Sequence, residues 1–354
     1  MQFTEDERKV IHTDKYHPAI SLILPVTPVD FRHRLKLAEE KIYKELRLLY
    51  PEDMTQNMLQ RLRAATDAID TAALKKSIAV YISPVLSKVF HLNITVNEKL
   101  LIDESFEIRD LVYAQQRRGK MLVLLLSGRH ARILNMDNSH TTTLADENID
   151  TYDNDVAARV SHFSDPDKRK EILQEKFIRH IDARLSGIPG IGDLPLFVIG
   201  TERLTGHFMQ ITHNAAYISG LIHGNYDTAT PAQLAALLAP ETEKQEREKE
   251  RALLQQLDDA QSASRLDFGI HMVWKTAGEK NAGLLVVEKN YMYPAEYITP
   301  GIIRGYEGGT ENNLFIKDAV DDVIEKVIAC GGEVRFVSDG VLNEYLHIAL
   351  VRYF

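Results

Sequence analysis

Apolar runs of strand length alternate with helical stripes along this chain, and together they predict a mixed α/β protein. Near the start, His17–Val26 is an apolar stretch bounded by prolines and reads as a strand. Asp30–Tyr50 carries Leu35, Ala38, Ile42, Leu46 and Leu49 on one face, the stripe of a helix lying on a sheet, and Pro51 stops it. Met54–Ile69 repeats the pattern through Met58, Leu62, Ala65 and Ile69. Ser77–Ile82 then reads as a buried strand, Val85–Leu92 continues the sheet, and Ile108–Gln116 is a short helix. These elements define a first α/β domain over residues 1–118, ending at the polar, basic stretch Gln115–Lys120.

The pattern starts afresh in residues 119–228. Met121–Ser127 is a central strand, Ser127–His130 its turn, Ala131–Met136 its hairpin partner and Thr141–Leu144 a third, shorter strand. An acidic loop, Ala145–Asp155, and an irregular polar stretch, Val156–Ser164, follow. Asp165-Pro166 then opens a long amphipathic helix to about Leu185, with proline at the first helical position. Pro195–Gly200 is a buried strand, Thr201–Thr212 a helix and Ala216–Ile222 a further strand.

Residues 229–354 form the third predicted domain. Thr230-Pro231 opens a helix that Pro240 is expected to interrupt, and Glu241–Gln261 is a charge-laced helix. Phe268–Ala277 gives a helical turn or two, Ala282–Val287 a strand, and Glu288–Asn313, with Gly301, Gly305, Gly308 and Gly309, a loop. The helix Lys317–Cys330 buries Val320, Val323, Ile324, Val327 and Ile328. Asp318, Asp321 and Asp322 fill its first turn, where negative charge suits the helix dipole, and Gly331-Gly332 ends it. Glu333–Val337 alternates as a half-buried strand, and Ile348–Phe354 is apolar enough to sit centrally in a sheet.

Composition narrows the class. With 354 residues, 44% hydrophobic and 26% charged, the chain can build its cores without staples. A single cysteine, Cys330, allows no internal disulfide and no thiolate metal cluster, which fits a reducing, cytoplasmic setting. No apolar run is long enough to span a membrane, and the acidic N-terminus lacks a signal-peptide core. The net charge of −9 disfavours a general nucleic-acid coat, so any RNA contact must be made by a local basic face.

The chemistry expected of common enzymes is missing from the sequence. There is no Walker A loop, no Gly-x-Ser-x-Gly elbow and no His-Glu-x-x-His. Gly187–Gly192 lies between a helix and a strand, the wrong context for a dinucleotide fingerprint. His207 and His213 are six apart and fall on different helix faces, and Asp150, Asp153 and Asp155 lack the glycine and distal glutamate of a calcium loop. No catalytic residue, metal or cofactor is expected.

The C-terminal pattern, a helix followed by Gly331-Gly332-Glu333-Val334, Phe336-Val337, Asp339-Gly340, Tyr345 and Ile348-Ala349-Leu350, resembles the archaeal–eukaryotic peptide-chain release factor and Pelota superfamily. The order of elements in the other two domains is similar to its bacterial branch. The resemblance implies three α/β domains in tandem, the last a ribosomal-protein L7Ae-like α/β/α sandwich. True release factors carry Gly-Gly-Gln in the long loop before the long helix of the middle domain. Here that loop, Val156–Asp165, has neither glycine nor glutamine. The resemblance thus implies a non-catalytic, stress-linked translation factor that occupies the ribosomal A site in hibernation or rescue. Its implied partners are ribosomal RNA and proteins, with a translation GTPase as a further one, and neither DNA nor membrane.

Basic residues near the matching regions are the RNA-contact candidates: Arg32, Arg34 and Lys36, with Lys41 and Lys44 nearby; Arg117, Arg118 and Lys120; Arg159 and His162; and Lys168, Arg169, Lys170, Lys176 and Arg179. Two other readings stay open. One is a ribosome-associated hydrolase, a nuclease or peptidyl-tRNA hydrolase, using Asp153, Asp155 and His162 of the acidic loop. The other is a module that binds only protein.

Overall fold

The computed structural model describes residues 3–12, 18–27, 30–71, 74–117, 119–137, 141–150, 166–278, 281–299, 301–306 and 315–353. The chain divides into two compact units. One joins residues 1–117 to 247–354, and the other is residues 118–246. The fold is mixed α/β, with four sheets among the described residues.

In the first unit, β1 (Ala19–Pro25), β2 (Ser77–Ile82), β3 (Ser87–Leu92) and β4 (Lys99–Asp103) form an antiparallel sheet in the order β3-β2-β1-β4. Strands β1 and β2 are buried on both faces, which is why they read as unbroken apolar runs. One face, through Ile20, Leu22, Ile78 and Val80, takes α2 (Phe31–Leu49) and α3 (Glu52–Asp67), with Leu35, Ile42, Leu46, Met58 and Leu62 between. The opposite face, through Ile23, Ala79 and Tyr81, shares one core with the C-terminal segment, including Val273, Leu285, Val320 and Ile324.

The C-terminal segment contributes β10 (Leu266–Phe268), α8 (Ile270–Thr276), β11 (Ala282–Glu288), α9 (Ala319–Ala329), β15 (Glu333–Val337) and β16 (Ile348–Arg352). The sheet order is β10-β16-β11-β15, so the last strand is internal, as its apolar sequence predicts. Residues 288–313, expected to be loop, contain β12 (Ala295–Thr299) and β13 (Ile302–Gly305), which form a small antiparallel sheet with β14 (Phe315–Ile316). Gly301, at φ 78°, makes the turn between β12 and β13, and Gly308 and Gly309 lie outside the described residues. Further elements escape the sequence pattern, among them β4, β10 and α1 (Glu5–Ile11), which Thr4 and Glu7 open with a reciprocal capping box.

In the second unit the sheet order is β7-β6-β5-β8-β9, with β5 (Met121–Leu126), β8 (Leu196–Gly200) and β9 (Ile218–His223) parallel. β6 (His130–Met136) runs antiparallel to them, and β7 (Thr141–Asn148) pairs antiparallel with β6 at the sheet edge. α5 (Pro166–Ser186) and α6 (Glu202–Ile211) cover one face through Phe177, Ile181, Leu185 and Phe208. Leu234 and Leu238 cover the other. β7 runs four residues further than expected, because Ala145–Asn148 pair with β6 across a register shift instead of entering the acidic loop.

Pro240 does not interrupt its helix. A single helix, α7, spans Pro231–Ser262 with Pro240 inside it. An interior proline costs about 3 kcal/mol. Leu234 and Leu238, and further along Leu257 and Ala260, are buried.

Candidate functional site

The parallel strands of the second unit end together at Leu126, Gly200 and His223, and in open α/β sheets ligands approach at such ends. Gly200 is required there, since a Cβ at this position would lie 2.7 Å from the Leu126 carbonyl oxygen. The β5–β6 turn is closed by Ser127, whose hydroxyl accepts the His130 N–H and donates to the His130 carbonyl, both at 3.0 Å. That turn places the His130 ring between two carboxylates. Nδ1 lies 2.9 Å from Asp227 of the β9–α7 loop, and Nε2 meets Asp146 of β7. Arg132 donates to the Asp227 carbonyl oxygen, Arg129 pairs with Asp150, and Thr205 meets His223 Nδ1 at 3.2 Å.

Partial burial opposes charge on His130, but its two carboxylate partners outweigh burial and raise its pKa. A ring with both nitrogens held by carboxylates is a charged strap; it has no free nitrogen lone pair for general-base work. The strap ties β6, β7 and the β9–α7 loop at the point from which the chain leaves β7 toward residues 151–165.

At the opposite side of α5, Asp182 is a buried acceptor hub. It takes Thr212 Oγ1, the His213 N–H at 3.0 Å, His213 Nδ1 at 2.9 Å and Asn214 Nδ2 at 2.8 Å. Burial alone would raise its pKa, and these hydrogen bonds bring it below the usual range. His213 is thereby engaged with a carboxylate. Among the described residues no group of three His, Cys, Asp or Glu is arranged to hold a metal ion.

The sequence-predicted RNA contacts divide on their structural surroundings. Arg32 donates to the Thr66 and Ile69 carbonyls, both at 3.1 Å, and so ties the end of α3 to the start of α2. Arg34 donates to the Pro25 carbonyl at 3.3 Å and pairs with Glu98 at 2.5 Å. Arg117 stacks over Tyr113, and Arg179 pairs with Glu175 at 2.9 Å. Lys36, Lys120, Lys168 and Lys170 are exposed, and Lys176 is half-buried. Arg118, Arg159 and His162, the side chain of Arg169, and Asp153 and Asp155 of the hydrolase reading lie outside the described residues.

A buried charged cluster, not apparent from the sequence, joins the N-terminal segment to the C-terminal one. Arg109, 2% exposed, pairs with Asp318 and donates to the Tyr291 carbonyl; Lys99 bridges Glu107 at 2.7 Å and Asp110 at 3.0 Å. Burial pushes the Glu107 and Asp321 carboxyls upward despite these cations. The first-turn aspartates of α9 therefore hold the N-terminal segment as well as suiting their own helix dipole. A cleft of about 730 Å³ opens beside them, and two of the lysines on its wall are already engaged: Lys326 lies 3.2 Å over the Trp274 ring and Lys317 donates to the Ile102 carbonyl at 2.7 Å.

Residues 121–281 match the family described as bacterial archaeo-eukaryotic release factor family 3. Solved structures with a similar fold include Archaeoglobus fulgidus Pelota, at 14% identity and TM-score 0.39, covering 78% of this chain and 79% of that one. Dom34 of S. cerevisiae is similar at 13% identity and TM-score 0.40, again over 78% and 79%. The archaeal termination factor aRF1 is similar at 11% identity and TM-score 0.28, over 99% and 98%. A comparison with curated protein sequences finds no match. The family match lies on residues 121–281, and over that stretch the chain is similar to bacterial release-factor-like proteins.

Proposed function

We propose that this protein is a release-factor-like translation factor that binds the ribosome without catalysing peptidyl-tRNA hydrolysis. The carrying observation is the stretch between β7 and α5, residues 149–165. It stands where release factors hold Gly-Gly-Gln, and it contains no glycine and no glutamine. The family match, on residues 121–281, includes this stretch and supports the comparison. His130, the histidine built into the strand ends, is clamped by two carboxylates, which suits a shaping role more than acid–base chemistry.

In this reading the chain occupies the A site, in hibernation or rescue. Its C-terminal part acts as an L7Ae-like module that docks on ribosomal proteins or a translation GTPase. Co-sedimentation with 70S ribosomes, with and without A-site tRNA as competitor, tests it. Binding that tRNA displaces is the expected result. Failure to sediment at low salt, or release of peptide from peptidyl-tRNA by the purified protein, overturns it.

A further inference from the structure

Helix α2 carries six cations, Arg32, Arg34, Lys36, Lys41, Lys44 and Arg47, against Glu39, Glu40 and Glu45, in a chain whose net charge is −9. The structure separates these charges by face. Arg32 and Arg34 are turned inward onto backbone carbonyls and Glu98, and Lys41 lies 3.8 Å from Glu98. Glu39 pairs with Arg63, and Glu45 faces Lys317 at 3.9 Å. Opposite the buried stripe Leu35–Ala38–Ile42–Leu46, helical spacing leaves Lys36, Lys44 and Arg47, all exposed, with Glu40 as the acid among them. They span about 16 Å of helix. Arg47 is steadied by the Tyr43 ring, 5.5 Å from its guanidinium, and keeps its fork exposed.

We infer that this outward face of α2 is an RNA-phosphate contact surface carried by Lys36, Lys44 and Arg47, and that Arg32 and Arg34 maintain the fold instead. The inference rests on the ribosome-binding reading and names the surface that reading requires. Cations about two turns and then one turn apart on a rigid helix match a polyanionic strand, and Arg47 offers bidentate pairing to phosphate. A lipid surface fits less well. A helix that lies in a bilayer interface needs a continuous apolar face free, and here the main apolar stripe is buried in the protein's own core, with Ile42 and Leu46 at 0% exposure, which leaves Leu37, Leu48 and Leu49 as the exposed leucines of α2.

The test is equilibrium binding of the full chain to deproteinised ribosomal RNA over a salt series, with the wild type and the K36Q/K44Q/R47Q variant. Because all three side chains are exposed, circular-dichroism melting should show the variant folded. Each phosphate contact contributes roughly 0.7–0.9 to the slope of log affinity against log salt, so the triple variant should lose about 2 units of slope. An unchanged slope, or no RNA binding by the wild type, overturns the inference, while 70S sedimentation reports on the ribosome reading separately. Binding to phosphatidylserine vesicles that the triple variant abolishes, with RNA binding unaffected, also overturns it in favour of a membrane surface.

Discussion

Asp321 caps a helix from the other end of the chain: its carboxylate accepts the backbone N–H of Arg109 at 2.8 Å and that of Ile108 at 3.2 Å. Those groups open α4 (Arg109–Gln116), and the Arg109 side chain in turn pairs with Asp318, three residues before Asp321. The exchange binds the first and last segments into one folding unit around a shared core. Arg109→Met leaves Asp318 buried without its cation, and breaking such a pair costs about 3–5 kcal/mol. Urea denaturation should show that loss in the transition of this unit. The double replacement R109M/D318L should recover part of it, since the uncompensated charge on Asp318 is then removed. A single replacement no worse than the double would contradict this account.

The same cluster gives a pH signature. Burial, with Glu107 and Asp318 nearby, raises the Asp321 carboxyl well above its usual range in spite of Arg109 and Lys99. The folded state thus holds a proton that the unfolded chain releases near about pH 4. This contribution is full in acid and declines as pH rises toward the folded value. Asp321→Asn is permanently uncharged and lacks this slope. The stability gap between wild type and variant should therefore narrow from pH 5 to pH 8. A widening gap in thermal melts over that range would show the carboxylate to be the preferred folded form.

Gln116 closes the edge of the C-terminal sheet as a further strand would. Its side-chain amide donates to the Phe336 carbonyl at 2.8 Å and accepts the Phe336 N–H at 2.7 Å. Removing it strands two backbone groups of β15, at about 1–3 kcal/mol for each that stays buried and unsatisfied. Gln116→Ala should lower the unfolding midpoint of this unit. Gln116→Glu should not rescue it, because a carboxylate has no donor for the carbonyl. Amide exchange at Phe336, slow in the wild type, fast in Gln116→Ala and still slowed in Gln116→Glu, whose carboxylate keeps the acceptor, is the direct readout.

Legibility in the sequence followed burial. Strands buried on both faces, such as Ser77–Ile82 and Leu196–Gly200, announced themselves as apolar runs, and helices against sheets showed their stripes. What stayed hidden depended on partners distant in the chain. Asp318 and Asp321 look like ordinary first-turn acids until Arg109 is placed between them and the N-terminal segment. Arg32 and Arg34 look like surface cations until the ends of α3 and β1 reach them. The helix Glu5–Ile11 was legible by a signal that the acidic composition masked, the Thr4-x-x-Glu7 capping box. His130 carried no local mark, because its two carboxylates come from a neighbouring strand and from a loop nearly a hundred residues away.

His130 supplies the last prediction. Its folded pKa is raised, so the stability it brings is complete below its unfolded value of about 6.5 and is lost as pH climbs through the folded one. Deprotonation leaves one ring nitrogen without a proton to donate, so either Asp146 or Asp227 loses its hydrogen bond. The second unit should therefore become less stable between pH 6 and pH 9. His130→Gln should flatten that dependence, since its amide does not titrate. Asp182 in the same unit acts in the opposite sense. Its lowered pKa makes its contribution complete above the usual carboxylate range and lost in acid. Thermal melts of the isolated unit are not needed. Hydrogen exchange in β6, read in the full chain across pH, should slow least at high pH in the wild type and lose that trend in His130→Gln. An unchanged trend in the variant would assign the pH response to another group.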